Sequence, residues 1–237
     1  MKVQVKNARA TGSKGIGENG ETDWLIKDMV EELKSWGHTG GPESSLILKC
    51  DGEPAIKAVR DMVGRMLGGT VVPENTPKNE SQCNGAAEEA GKTVSEVVVV
   101  FKEQLEERAG IEIKPGDNIT LWMIRWAAMN VSRYLVGQDG QTGYERRRGR
   151  KCNIPVARFG EMVWYRELRE NKERRDKFST EWKEGIWLGH SRNSNETLVG
   201  TDDGVVRAFA IRGFPEGQRW NGERIKRMQG TLKNPIL

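Results

Sequence analysis

The chain has 237 residues, with 38 Lys+Arg against 34 Asp+Glu, two His, three Cys and a formal net charge of +4. That length can bury a core without staples, and 36% hydrophobic content with eight Trp excludes a chain disordered throughout. Cys50, Cys83 and Cys152 form no CxxC pair, which speaks against a secreted disulfide scaffold, and two His exclude a His-rich zinc module. The charge changes sign along the chain. Residues 1–140 carry 17 basic and 21 acidic residues, net −4; residues 141–237 carry 21 basic and 13 acidic, net +8. Two units with different jobs are expected, and the basic one is compatible with a polyanion partner or, equally, with a solvated surface of modest charge excess.

The N-terminus, MKVQVKNARA, has no apolar core of a signal peptide. The apolar stretches VVVVF (97–101) and ITLWMI (119–124) are too short to span a bilayer. An intracellular protein with no membrane partner is expected.

In chain order, 3–10 is a candidate strand and 12–21 a Gly-rich loop whose spacing matches no nucleotide-binding fingerprint. Thr22 is placed to cap a helix over 23–36, ended by Gly37. SLILKC (45–50) reads as a short buried strand. Pro54 opens a helix whose Ile56, Val59, Val63 and Leu67 share a face, and Gly68-Gly69 closes it. TVV (70–72) is another strand. A long helix is expected over 86–108: its β-branched middle, VSEVVVVF, favours a strand, but the flanks AAEEAGK and KEQLEER are strong helix formers. A further helix spans 120–136. This alternation predicts an α/β layer.

Residues 137–149 read as a turn-rich junction ending in ERRRGRK. Beyond it come short strands at 159–166, 184–190, 196–201 and 205–212, with Asp202-Asp203-Gly204 as the turn between the last two. A small all-β unit is expected, with a charged loop at 167–181 and a loosely structured end. Trp122 and Trp126 read as core, and Trp164, Trp182 and Trp187 as filling the β unit.

Two carboxylates stand out. Asp51 follows the buried strand 45–50, and the C-terminal end of such a strand is where open α/β sheets place functional groups. Glu88 lies in the first turn of the long helix, just after Asn84-Gly85. Acids converging there can hold divalent ions that activate a nucleophile and stabilise a leaving oxygen in phosphoryl transfer. Mg²⁺ or Mn²⁺ suits hard oxygen ligands. An Asp after a strand is equally a turn former, and a Glu in a first turn equally a complement to the helix dipole.

LILKCDGEPAI followed by ENTPKNESQCNGAAEE resembles the catalytic core of retroviral-type integrases. Cys50-Asp51-Gly52-Glu53, Thr76-Pro77, Ser81-Gln82 and Asn84-Gly85-Ala86-Ala87-Glu88 stand where that family has a strand ending in Ser-Asp-Asn-Gly, a Thr-Pro and Ser/Gln loop, and Asn-Gly-x-x-Glu. Further on, LWMIRWAAMNVSRYL, GQTGYERRRGRKCNIPVARFGEMVWYR and KEGIWLGHSRNSNETLVGTDDGVVRAFAIR look like the integrase of a Copia-type retrotransposon. The resemblance covers most of residues 40–215.

What it implies is an α/β fold: an incomplete ribonuclease-H-like core at 1–137, a basic linker at 138–158, a small all-β SH3-like module at 159–215, and a loose tail at 216–237. Asp51 and Glu88 would be the second and third acids of an Asp-Asp-Glu triad that holds Mg²⁺ or Mn²⁺. In the family, water attacks the DNA end and the freed 3′-hydroxyl then attacks target DNA, so the nucleus is the expected place of action and no small-molecule substrate is implied. Lys92, one turn after Glu88, reads either as a DNA contact or as an ion-pair partner of Glu88. Asn84 reads as a base contact or a helix cap. Arg146, Arg147, Arg148, Arg150 and Lys151 read either as phosphate contacts or as a solvated linker.

The family's first acid has no counterpart: Asp23 and Asp28 fall on a predicted surface helix. The start resembles the family's third strand, so a chain truncated before Met1 is expected. With two acids, no strand joining by this chain is expected. An exposed apolar sheet edge would favour self-association. A non-catalytic nucleic-acid-binding protein derived from a transposable element is the alternative.

Overall fold

In a computed structural model, the protein is described over residues 8, 15–17, 22–75, 85–167, 182–192 and 194–233. It is a mixed α/β chain with a small antiparallel barrel in its later part. The elements run α1 (Asp23–Ser35), β1 (Ser45–Cys50), α2 (Pro54–Leu67), β2 (Thr70–Asn75), α3 (Gly85–Ala109), α4 (Asn118–Tyr134), α5 (Gly143–Arg148), β3 (Met162–Glu167), β4 (Lys183–His190), β5 (Thr197–Gly200), β6 (Val205–Gly213) and α6 (Gly222–Arg227). The candidate strand at 3–10, apart from Ala8, and the charged loop at 168–181 lie outside the described residues.

Two compact units emerge: Thr11–Lys92, and Met1–Ala10 with Thr93–Leu237. In the first, β1 and β2 pair in parallel, with Ser45 opposite Thr70 and Cys50 opposite Asn75. The intervening α2 begins at Pro54, which needs no amide partner in a helix's first turn. Ile26, Val30, Val63 and Leu67 form the buried core, with Leu46, Leu48 and Val71 packed on it. Thr22 precedes α1, but its side chain accepts from the Gly17 amide at 3.1 Å rather than from the helix, and its carbonyl takes the Leu25 and Ile26 amides.

The second unit is larger. The break between the two falls between Lys92 and Thr93, inside α3. The reason is packing. Leu105 on α3 and Ile119, Trp122, Met123 and Trp126 on α4 join one core with Val163, Ile186, Trp187 and Leu188 of the barrel. Burial also explains the long β-branched helix. Val94, Val97, Val98 and Phe101 recur at helical spacing and pack with Ala127, Ala128 and Val131, while Val99 and Val100 face water. One covered face is enough to hold a helix that local propensity opposes.

The expected linker at 138–158 is part of this unit. It carries α5, closed at its start by a reciprocal capping box: Thr142 Oγ1 accepts the Glu145 amide at 3.1 Å and the Thr142 amide donates to Glu145 Oε2 at 2.7 Å. Gly149, at φ +70°, ends it in the left-handed conformation. Tyr144 is buried.

The barrel closes in the order β3-β4-β5-β6, all neighbours antiparallel and β3 paired back to β6. Gly189 sits on β4 at φ +115°, where a Cβ would lie 2.6 Å from the Trp126 ring. Only glycine lets the strand and the indole approach that closely. The tail, expected to be loose, is held as far as Leu232, which packs on the core. Ile225 and Met228 are buried. Trp122 Nε1 donates to the Gly230 carbonyl and Asn118 Nδ2 to the Met228 carbonyl, both at 3.0 Å. The Met162 amide donates to Arg219 O at 2.8 Å and the Gln229 amide to Thr201 O at 3.0 Å.

Candidate functional site

Because β1 and β2 run parallel, their C-terminal ends share one edge of the sheet, marked by Cys50 and Asn75. Asp51 follows at once and is half-buried. Its Oδ1 accepts the Glu53 amide at 3.1 Å, which turns the chain into α2. Arg60 reaches back from α2 to the same edge. Its guanidinium donates to Asn75 Oδ1 at 2.6 Å, to the Glu74 carbonyl at 3.3 Å and towards Cys50 Sγ at 3.6 Å. Its Nε and second terminal nitrogen bind Asp61 at 2.8 and 2.7 Å. Lys49 pairs with Glu74 at 2.9 Å across the strands.

Glu88 lies in the first turn of α3 and is exposed, as is Lys92 one turn further on. Both belong to the same compact unit as Asp51. Asn84, with Thr76-Pro77, Ser81-Gln82 and Cys83, lies outside the described residues. Carboxylates are hard ligands that suit Mg²⁺. Among the described residues, however, no group of three or more Asp, Glu, His or Cys gathers to hold a metal. The oxygens at the β2 end already face a cation of the chain's own, Arg60. Asp51 and Glu88 are the described residues that would hold such an ion.

The basic segment divides by role. Arg146 forms a two-pronged ion pair with Asp139: Nε donates to Oδ2 at 2.8 Å and a terminal nitrogen to Oδ1. This pair, helped by the Gln141 amide, holds the Asp139 carboxyl down at about 2. Arg146 therefore fastens the turn 137–146. Arg147 is half-buried, and Arg148, Arg150 and Lys151 are exposed.

Inside the barrel unit, Arg133 and His190 are buried together beside the half-buried Asn195. The Arg133 guanidinium lies 3.4 Å from His190 Nδ1 and donates to Asn195 Oδ1 at 2.7 Å. His190 packs against Trp126 and Trp187, whose rings meet edge to face at 4.9 Å. Burial first, and Arg133 second, push the His190 imidazole down from its ordinary 6.5 to about 4. Trp122, Trp126 and Trp187 are core, as read from the sequence. Trp164 is half-buried and stacks on Phe214 at 4.1 Å. Trp182 departs from the expectation: it lies half-buried against the guanidinium of Arg212.

No helix among the described residues is long and apolar enough to cross a membrane. No protein-family model matches the chain, and no curated protein matches it. Among solved structures it is similar to a chain from the cryoEM structure of the simian T-cell lymphotropic virus intasome in complex with PP2A regulatory subunit B56 gamma, with 13% identity and a TM-score of 0.29. The match covers 83% of this chain and 64% of that one, so the protein spans less than two thirds of its neighbour's length. A likeness that distant is no basis for assigning an activity.

Proposed function

We propose that this is an integrase-like protein of the Copia retrotransposon type that binds DNA, and that residues 1–237 do not by themselves join strands. The observation that carries the reading is the display of charge in the basic half. Arg146 is tied to Asp139, while Arg148, Arg150 and Lys151 stand exposed on the segment that follows the capped helix α5. Cations presented in this way release counterions from a phosphate backbone and bind it without regard to sequence. The order of the integrase-like words supports the reading. Asp51 ends a parallel strand, Glu88 opens a long helix, and a small barrel follows. In this reading the α/β part is a portion of a ribonuclease-H-like core, the barrel is an SH3-like module, and the protein acts on nuclear DNA.

Asp51 and Glu88 would ligate Mg²⁺ or Mn²⁺, with Lys92 and Asn84 beside the DNA. A bound ion would supply charge stabilisation at the scissile phosphate. Catalysis by a pair of ions would need a further carboxylate beside these two.

The test is duplex binding as a function of salt. Affinity should fall steeply as salt rises. Replacing Arg148, Arg150 and Lys151 together by Gln should lower the log–log slope by roughly 2 to 3. A flat salt dependence, or a slope unchanged in the triple variant, contradicts the DNA reading. Mg²⁺-dependent strand transfer by the chain, lost on Glu88→Gln, would contradict its non-catalytic half.

A further inference from the structure

One outer stretch of the barrel, on β3, β6 and the start of β4, alternates cations with aromatic rings. Arg212 lies 4.4 Å from the centroid of the Trp182 ring. Arg166 lies 5.9 Å from Trp182 on one side and 5.1 Å from Phe209 on the other. The series is therefore guanidinium, indole, guanidinium, phenyl.

Phe209 is there because of a local irregularity. Arg166 pairs with Ala210 and the next residue, Glu167, pairs with Ala208, so Phe209 is the extra residue of a β-bulge. The bulge turns its ring outward, and 64% of the residue is exposed, more than any other large hydrophobic among the described residues. A ring held in water on a closed barrel does nothing for the core. The neighbouring carboxylates have cations of their own: Glu167 binds Lys183 at 2.8 Å and Glu184 binds Arg224 at 3.1 Å.

We infer that this row is a binding platform for an unpaired DNA strand. The inference rests on the DNA reading above and adds where, and in what form, the strand is taken. Along a single strand, bases and phosphates alternate. Rings offer stacking surfaces to bases, and the guanidinium of Arg212, held over the Trp182 ring, offers N–H donors to a phosphate. A duplex hides its base faces inside the stack, so the exposed ring of Phe209 distinguishes an unpaired strand from a paired one. The excess of +8 in residues 141–237 gives the sign of charge such a ligand requires.

The experiment measures fluorescence anisotropy of the 237-residue chain at one fixed salt concentration. The probes are a labelled thymidine oligonucleotide of about 12 nucleotides, within the usual site size for one small β domain, and a blunt duplex of equal length. Phe209→Ala should weaken single-strand binding roughly tenfold and leave duplex binding and melting temperature unchanged, while Phe209→Tyr should restore the single-strand affinity. Duplex binding with single-strand binding indifferent to Phe209→Ala would overturn the platform and leave the DNA reading standing. Single-strand binding that needs Phe209, with no duplex binding, would support the platform and remove the DNA reading as stated. Self-association that Phe209→Ala abolishes, with no change in single-strand binding, would overturn the platform in favour of a second copy as the occupant.

Discussion

The two compact units solve the same problem, covering an apolar sheet face, to different depths. Around the barrel, Trp122, Trp187, Ile119, Met123 and Ile186 are almost fully removed from water. Closure leaves the four strands no free edge, and helix α4 covers the Trp187 and Leu188 side of the core. The β1–β2 pair has one covered face, through Leu46, Leu48 and Val71. On the other, Ile47 and Val72 stand opposite each other, 62% and 47% exposed. Pro73 lies opposite Leu48 and has no amide hydrogen to give a neighbouring strand. A two-stranded sheet has little stability of its own. The difference teaches that stability here is concentrated away from the edge that carries Asp51.

The largest effect should come from the barrel core. Trp187→Ala removes a fully buried indole that meets Trp126 edge to face, and should cost about 3–5 kcal/mol. Differential scanning calorimetry should show the barrel unit's transition falling while that of residues 11–92 stays in place. A single transition moving as a whole would break the comparison.

A smaller effect is tied to pH. His190 in the folded chain takes a proton only near 4, whereas in the unfolded chain it does so near 6.5. Between these values the unfolded state binds more protons, so stability rises with pH there. The contribution is complete above pH 6.5, is lost as pH falls, and is gone by about pH 4. The melting temperature of His190→Gln should therefore fall less steeply over this window than that of the unsubstituted protein. Parallel curves would show that the imidazole is not shielded by burial and Arg133.

The smallest effect on stability should come from the open sheet face. Ile47→Lys is expected to change stability by less than about 0.5 kcal/mol. It should nonetheless reduce any concentration-dependent association seen by sedimentation, because it puts a charge beside Val72. Association unaffected by this change would place the sticky surface elsewhere.

Much of the element order was legible in the sequence because each element carries its own punctuation. Pro54 and Gly68-Gly69 bracket α2, and Asp202-Asp203-Gly204 turns β5 into β6. The helix α5 was missed although Thr142-Gly-Tyr-Glu145 is a capping-box signal, because the run of arginines after it reads as a linker. The candidate site was less legible. Asp51 and Glu88 were visible as residue types at strand and helix ends. Arg60, which reaches the same edge from ten residues beyond Cys50, has no signature in a one-dimensional pattern. Nor has the exposure of Phe209, since β6 reads as a regular strand until its partner's register is known.

By itself the sequence determined most of the local states: the longer helices and the strands, where most of them stop, and that charge is divided unevenly between the halves. Those follow from backbone preference, hydrophobic period and turn chemistry, all properties of near neighbours along the chain. Tertiary structure alone decided the unit boundary inside α3, the burial of Trp122 under residues more than a hundred positions later, and the outward turn of Phe209. These depend on which surfaces meet, and burial and strand register are fixed by contacts between residues distant in sequence.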